Sequence, residues 1–131
     1  MIKLGYTIQY VSNVTETISF YEKAFGLPKK FITPEGDYAE LATGETTLAF
    51  ASYELGKSNI KTDFIHSTPN KDVLGVEFVF VTDDVNATVE QACSNGAVLK
   101  SPAEQKPWGQ TVAYVRDING FLLEICTPIK E

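Results

Sequence analysis

The feature that most constrains the fold of this chain is an internal repeat. Residues 4–11, LGYTIQYV, are typical of a β-strand, and so are residues 74–82, LGVEFVFVT. Each strand is followed by Asn13 or Asp84, then by a valine and a helical pattern that ends at Gly26 or Gly96. The two copies are offset by 71 residues at the polar residue and by 70 at the glycine. A repeat of this kind predicts two structural modules with the same order of elements.

The ends of both helices can be predicted from local chemistry. Asn13 and Asp84 are good N-caps because their side chains can accept hydrogen bonds from early backbone N–H groups. Glu16 completes a capping box, while Gly26 and Pro28 favour termination of the first helix. One apolar stripe follows each cap at helical spacing: Val14, Ile18, Tyr21 and Phe25 in the first copy, and Val85, Val89, Ala92 and Gly96 in the second.

Short strands separated by turn residues follow each helix. We expect them at 28–33, 37–43, 46–53, 97–101, 110–116 and 120–127. The chain is therefore predicted to be a single α+β domain over residues 1–131, built from two βαβββ modules. Module one covers about 1–54, module two covers about 73–131, and residues 55–72 form a polar, exposed linker. Each sheet would bury one face under its helix, and the two other faces would curve around a ligand cleft.

Charge and length exclude several classes of function. The chain has 131 residues and a net charge of −6, so it would repel the phosphate backbone of a nucleic acid. No apolar run is long enough to span a membrane. The first residues, MIKLGYTIQYV, lack the ordered segments of a signal peptide, which leads us to expect a cytoplasmic protein.

The cysteines and the histidine restrict the possible chemistry further. Cys93 and Cys126 lie in apolar surroundings without metal-binding spacing, so we expect buried free thiols in a reducing compartment. His66 is the single histidine, which excludes sites that need several imidazoles. It lies in the predicted linker, without the acid or oxyanion pattern of a nucleophilic triad.

Two glutamates interrupt apolar strands. Glu124 follows Leu123 and precedes Ile125, and Glu77 lies in GVEFVFV. Strand alternation allows either of these carboxylates to face water or to face the cleft. If both faced the cleft within about 5 Å, repulsion between like charges would raise one pKa and favour a shared proton or a bound cation.

Several aromatic residues have equally open roles. Trp108, between Pro107 and Gly109, is either a turn residue packed on the module edge or an aromatic wall for a flat ligand. Tyr6, Ile8 and Tyr10 alternate along the first strand and could face either the cleft or the helix. Polarity favours the second arrangement, in which Thr7 and Gln9 face the cleft. Phe50 and Tyr53 could add apolar surface to the cleft or pack in the core.

Three segments together resemble the vicinal oxygen chelate superfamily, which includes glyoxalase I, bleomycin-resistance and fosfomycin-resistance proteins, and extradiol dioxygenases. The segments are YVSNVTETISFYEKAFGL (10–27), FVTDDVNATVEQACSNGA (80–97) and KPWGQTVAYVRDINGFLLEI (106–125). The segments FYEKAFG and PWG with RD-x-x-G look especially like the glyoxalase/bleomycin-resistance branch. The resemblance implies paired βαβββ modules, a cleft and, usually, a homodimer.

The resemblance also implies metal-ligand positions on the first and last strand of each module. They fall on Tyr6 and on Ala49 or Phe50 in module one, and on Glu77 and Glu124 in module two. Only module two therefore supplies carboxylates. Two carboxylates without histidine would suit a hard divalent ion such as Mg²⁺ or Mn²⁺, bound weakly.

The leading prediction is a small-molecule-binding protein with a partly acidic, aromatic cleft that holds a ligand at a homodimer. Its ligand-binding residues would be Tyr6, Phe50, Glu77, Trp108 and Glu124. The alternative is a metal-dependent, glyoxalase-like lyase or isomerase that uses Glu77 and Glu124 as metal ligands. A third possibility is an interaction module without a cavity. No partner is expected among nucleic acids or membranes.

Overall fold

The structure, a computed structural model, describes residues 1–129 as two compact units, one over Met1–His66 and one from Ser67 onward. The first unit contains the elements β1 (Tyr6–Val11), α1 (Val14–Phe25), β2 (Lys29–Ile32), β3 (Tyr38–Leu41), β4 (Thr47–Ser52) and α2 (Tyr53–Ile60). The second contains β5 (Glu77–Val81), α3 (Val85–Ser94), β6 (Val98–Gln105), β7 (Thr111–Arg116) and β8 (Leu122–Cys126). Across the described residues, no helix combines the length and apolar character that a bilayer crossing requires.

Each unit folds around one four-stranded mixed sheet. The strand orders are β1-β4-β3-β2 and β5-β8-β7-β6, so the first strand of each module lies beside its last strand. That pair is parallel in both sheets, and the other pairs are antiparallel. The predicted α+β class and the two βαβββ repeats are confirmed.

Both repeat helices begin as their caps predict. The Asn13 side chain accepts a hydrogen bond from the Glu16 backbone N–H over 2.9 Å, and the Asp84 side chain accepts one from Ala87 over 3.0 Å. Gly26 ends α1 in the left-handed conformation with φ of 67°. The end of α3 differs, because Asn95 caps it and Gly96 follows with φ of 115°.

The helix-facing side of each sheet forms the core of its unit. Phe50 is fully buried and stacks on Tyr21 of α1, with ring centroids 5.1 Å apart. Gln9 is also buried there, and its Nε2 lies 3.5 Å from the Tyr21 hydroxyl. In the second unit, Leu123 and Ile125 are fully buried on the side that packs against α3. We call the opposite side of each sheet its distal face.

The segment expected to be an open linker begins with a helix. Ser52 caps α2 by accepting from the Leu55 backbone N–H over 3.1 Å. Beyond the helix, the ring of His66 stacks on Tyr53 at 3.8 Å and lies 4.9 Å from Phe64. These contacts are formed by residues 53–66, so this part of the predicted linker is packed structure. The sequence did not predict this helix, because the segment is polar and its cap, Ser52, was not recognised.

The turn between β7 and β8 explains the RD-x-x-G motif structurally. Buried Asp117 accepts hydrogen bonds from the backbone N–H groups of Asn119 and Phe121, both over 2.9 Å. Arg116 donates to the carbonyl oxygens of Gly120 and Thr68, over 2.9 and 3.0 Å. The motif therefore closes the hairpin and anchors the chain that enters the second unit.

Candidate functional site

Strand pairing brings Glu77 and Glu124 to the same distal face. In the parallel β5–β8 ladder, Val79 is paired with Glu124 and Glu77 is paired with Leu122. Since side chains alternate along a strand, Glu77 and Glu124 project from the same side of the sheet as diagonal neighbours. Glu124 is half-buried, whereas Glu77 is exposed.

The two carboxyl groups interact directly. Desolvation raises the pKa of Glu77 above its ordinary range, and a hydrogen bond and charge repulsion from Glu124 raise it further. Such a hydrogen bond between two carboxyl groups requires one of them to carry a proton. We call Glu77 and Glu124 the acid pair. Because its pKa is raised, Glu77 holds a proton more readily than an isolated glutamate does.

On the other side of Glu124, Tyr114 of β7 contacts the acid pair through its hydroxyl group. It lies opposite Glu124 in the antiparallel β7–β8 pair, and its hydroxyl donates to Oε1 of Glu124 over 3.1 Å. Desolvation raises the pKa of Tyr114 to about 12, with contributions from its hydrogen bond to Glu124 and from the charge of Glu124. Tyr114 is therefore a neutral hydrogen-bond donor at physiological pH.

Cys126 completes this region of the distal face. It lies two residues beyond Glu124, is buried, and has a pKa raised to about 11, mainly by desolvation and by a hydrogen bond to Glu124. The thiol form is thereby favoured over the nucleophilic thiolate. Both cysteines are free. The prediction that Cys93 is buried is wrong, because its side chain is only half-buried on α3.

Trp108 is exposed at the tip of the β6–β7 hairpin. Its side chain is 64 % exposed, and its indole Nε1–H donates to Oε1 of Gln110 over 2.7 Å. Gln110 in turn donates to the carbonyl oxygen of Thr127, just past β8. Trp108 is thus held at the end of the strand that carries Glu124, with most of its ring free.

The strand register decides which residue of module one, Ala49 or Phe50, corresponds to Glu124. Ile8 pairs with Ala49 as Val79 pairs with Glu124, so Ala49 is the structural counterpart of Glu124. Tyr6 lies on the distal face and is 58 % exposed. Phe50 points into the helix–sheet core instead, where it has no exposed surface for a ligand.

The donor set does not fit the metal site that the family resemblance implies. Within residues 1–129, no group of three or more His, Cys, Asp and Glu side chains is arranged to hold a metal ion. The Glu124 counterpart in module one is Ala49, which has no donor atom. His66 contacts Tyr53 and Phe64 in the first unit and adds nothing to the acid pair.

A depression in the first unit has a different character. It has a volume of about 440 Å³ and lies beside Asn13 and Ser52, the caps of α1 and α2. Glu35, Asp37 and Glu54 also line it. The caps are engaged by their own helices, and carboxylates near helix N-termini are favourable for stability alone. The depression is therefore accounted for by helix capping.

The sequence did not lead us to predict that Tyr114 and Cys126 lie beside Glu124. One feature of the sequence could have located Tyr114. The DING turn sets the register of the β7–β8 hairpin, and counting outward from it places Tyr114 opposite Glu124. Glu40 on β3 was also missed. The sequence carried no signal for it because the register of short strands around PEG and TGE was ambiguous.

Comparison with known proteins assigns the chain to one family. The Glyoxalase/Bleomycin resistance protein/Dioxygenase superfamily model matches residues 3–125. The uncharacterized protein YraH of Bacillus subtilis is 27 % identical over 116 residues, which cover 88 % of this chain and 90 % of YraH. Lactoylglutathione lyase GLX1 of Arabidopsis thaliana is 28 % identical over 130 residues, covering 92 % of this chain. The chain spans only 42 % of that relative.

The same fold occurs in solved structures. A glyoxalase-related enzyme from Fulvimarina pelagi superposes with a TM-score of 0.80 and 19 % identity, covering 98 % of this chain and 89 % of that one. At this level of identity the likeness establishes the fold and leaves the activity open.

Proposed function

Because the chain belongs to the Glyoxalase/Bleomycin resistance protein/Dioxygenase superfamily, we propose that it binds a small molecule on the distal face of its second sheet. The ligand would carry a cationic or hydrogen-bond-donating group, which the acid pair would hold. Trp108 would provide an aromatic wall beside the acid pair.

The observation that carries the proposal is the placement of Glu77 and Glu124 as diagonal neighbours on one face of the β5–β8 ladder. Two carboxyl groups side by side repel each other unless a proton or a cation lies between them. A ligand ammonium group would replace the shared proton and satisfy both carboxylates at once. Tyr114 holds Glu124 in place through its hydroxyl, so the pair is partly preorganised.

Because the indole of Trp108 is exposed, its fluorescence can be used to measure ligand binding directly. Trp108 is the single tryptophan, so intrinsic fluorescence reports on it alone. We expect titration with bleomycin, a cationic glycopeptide, to change this fluorescence with saturation. Glu124→Gln should weaken the binding by about 10-fold, because it removes one charge of a charge-assisted contact.

A matched control uses a glutamate outside the site. Glu90→Gln on α3 removes the same charge from the helix side of the sheet and should leave the affinity unchanged. Equal losses in the two variants would mean that only net charge matters. Absence of any saturable change with bleomycin and with smaller organic amines would refute binding at this face.

A homodimer is part of the same proposal. Relatives in the family often form dimers, and Val79 and Val81 leave exposed apolar surface on the distal face. Light scattering coupled to gel filtration should give twice the monomer mass of 14.4 kDa. If the protein is a monomer at micromolar concentration, the homodimer part of the proposal is wrong. Ligand binding by a single chain then remains the proposal.

A metal-dependent, glyoxalase-like lyase or isomerase is the second candidate, favoured by the name of the Arabidopsis relative. Glu77 and Glu124 would be the carboxylate ligands of a hard divalent ion, and one step would move a proton next to a carbonyl group. Within residues 1–129, no group of three or more His, Cys, Asp and Glu side chains is arranged to hold a metal ion, which argues against this candidate. Elemental analysis of protein purified without chelators decides between the two. A stoichiometric divalent ion that disappears in Glu124→Gln would establish the metal site.

A further inference from the structure

Two asparagine–glycine pairs occur in the chain, Asn95–Gly96 after α3 and Asn119–Gly120 in the β7–β8 turn. In such a pair the backbone nitrogen of the glycine can attack the side-chain amide of the asparagine. Glycine favours this attack because it has no side chain to hinder the approach. The two pairs share the same intrinsic chemistry, so any difference in their reactivity comes from the fold.

The first pair lies at an exposed helix end. Asn95 and Gly96 are both exposed, and α3 ends at Asn95. The Asn95 backbone N–H donates to the Ala92 carbonyl over 3.1 Å, and the Gly96 N–H donates to the Cys93 carbonyl over 3.2 Å. The side-chain amide of Asn95 donates to the Gln91 carbonyl over 2.8 Å at the solvent surface. Because helix ends open at small free-energy cost, the Asn95 side chain and the Gly96 nitrogen can rearrange in the folded protein.

The second pair is held in a buried turn. Asn119 is 9 % exposed, and its backbone N–H donates to the carboxylate of Asp117 over 2.9 Å. The N–H of Gly120, which carries the attacking nitrogen, donates to the backbone carbonyl of Asp117 over 3.0 Å. An added Cβ at Gly120 would lie 2.5 Å from the carbonyl group of Thr68, so the turn is closely packed. Rearrangement here requires opening of the turn.

We propose that Asn95 is a site of spontaneous deamidation and that the fold protects Asn119 from the same reaction. The Gly96 nitrogen gives its proton to hydroxide and forms a bond to Cγ of Asn95. The Cγ–Nδ2 bond breaks, and Nδ2 takes up a proton from water and leaves as ammonia, so that a cyclic succinimide remains. Water then opens the ring at either carbonyl carbon, which gives aspartate or isoaspartate. The overall reaction consumes water and releases ammonia, without oxidation or reduction.

The modification changes the end of α3. Either product places a carboxylate at the C-terminal end of the helix, where the helix dipole is already negative. The last turn, residues 91–94 with the sequence QACS, has no basic side chain to compensate this charge. Isoaspartate also inserts a methylene group into the backbone next to Gly96. Deamidation should therefore weaken the end of this helix as the protein ages, whatever ligand the protein binds.

The test follows both sites by mass spectrometry while the protein is incubated at mildly alkaline pH, which favours loss of the Gly96 proton. Trypsin separates the sites into residues 72–100 and the peptide that begins at Asp117. In the folded protein, we expect Asn95 to deamidate about 10-fold faster than Asn119 or more, because opening a buried turn costs more than fraying a helix end. In urea the two sites should react at similar rates.

Two variants complete the test. Asn95→Gln keeps an amide at the helix end but cyclises more slowly, so it should remove the modification from residues 72–100 and leave Asn119 unchanged. Asn95→Asp reproduces one product and should lower the Tm by about 2 °C, and an unchanged Tm would refute the predicted effect on the helix.

The comparison of folded and urea-unfolded wild type decides the proposal without any variant. Equal rates at Asn95 and Asn119 in the folded protein would overturn it. So would a folded protein in which Asn95 does not react under conditions that modify it in urea.

Discussion

The hydroxyl of Tyr114 donates to Oε1 of Glu124 over 3.1 Å, across a directly opposed pair of the β7–β8 ladder. Glu77 lies on the other neighbouring strand, β5, as a diagonal neighbour of Glu124. The acid pair and Tyr114 therefore lie on three adjacent strands, and their geometry follows from strand register. Because the strands pair over their full lengths, the carboxyl groups are positioned by the most regular part of the second unit.

A double-mutant cycle should detect the coupling between Tyr114 and Glu124. A hydrogen bond to a charged group contributes about 1.5–3 kcal/mol, and partial exposure of Glu124 reduces that value. We expect a coupling free energy of about 1 kcal/mol from urea unfolding of Tyr114→Phe, Glu124→Gln and the double variant. Strictly additive losses of stability would mean that the hydrogen bond makes no net contribution.

The acid pair should make stability depend on pH in a defined direction. The pKa of Glu77 is raised in the folded protein, so ionising this group costs stability. The cost is absent below the unfolded pKa, near the ordinary value of 4.5, and develops as the pH rises through the folded pKa. We expect Glu77→Gln to stabilise the protein more, relative to wild type, at pH 7 than at pH 4. Thermal melts at the two pH values measure this, and a difference that is independent of pH would contradict it.

The two thiols should differ in reactivity. Cys126 is buried, and its pKa is raised to about 11, so little thiolate exists near neutral pH. In Cys93→Ser, we expect iodoacetamide at pH 7.5 to leave the folded protein unmodified for hours and to modify one thiol in urea. Mass spectrometry gives the count. Rapid modification of this variant without urea would show that Cys126 is accessible as a thiolate.

Gly120 should tolerate no side chain. Its φ is 90°, and an added Cβ would lie 2.5 Å from the carbonyl group of Thr68. We expect Gly120→Ala to reduce the free energy of unfolding by about 2–4 kcal/mol. Gly109→Ala is the matched control, because Gly109 has a φ of 102° and open space around it, so only the backbone cost of about 1 kcal/mol applies. Similar losses in the two variants would show that the contact with Thr68 is readily relieved.

The distal-face position of Tyr6 came from the family resemblance, and the structure agrees with it. Polarity argued for the opposite orientation, with Gln9 toward the cleft. Instead, Gln9 is buried under α1 beside Tyr21. Polarity was a poor guide here because a buried amide is acceptable where a hydroxyl group can pair with it.

The sequence by itself determined the repeat, the caps of α1 and α3 and the order of elements, because these depend on residues a few positions apart in the chain. Only the tertiary structure decided that Ala49 is the counterpart of Glu124, that Phe50 is core and that Glu40 shares a face with Tyr6. Those relationships depend on which residues pair across strands distant in sequence. A shift of one residue in such a pairing moves a side chain from one face of the sheet to the other, and local chemistry alone does not specify it.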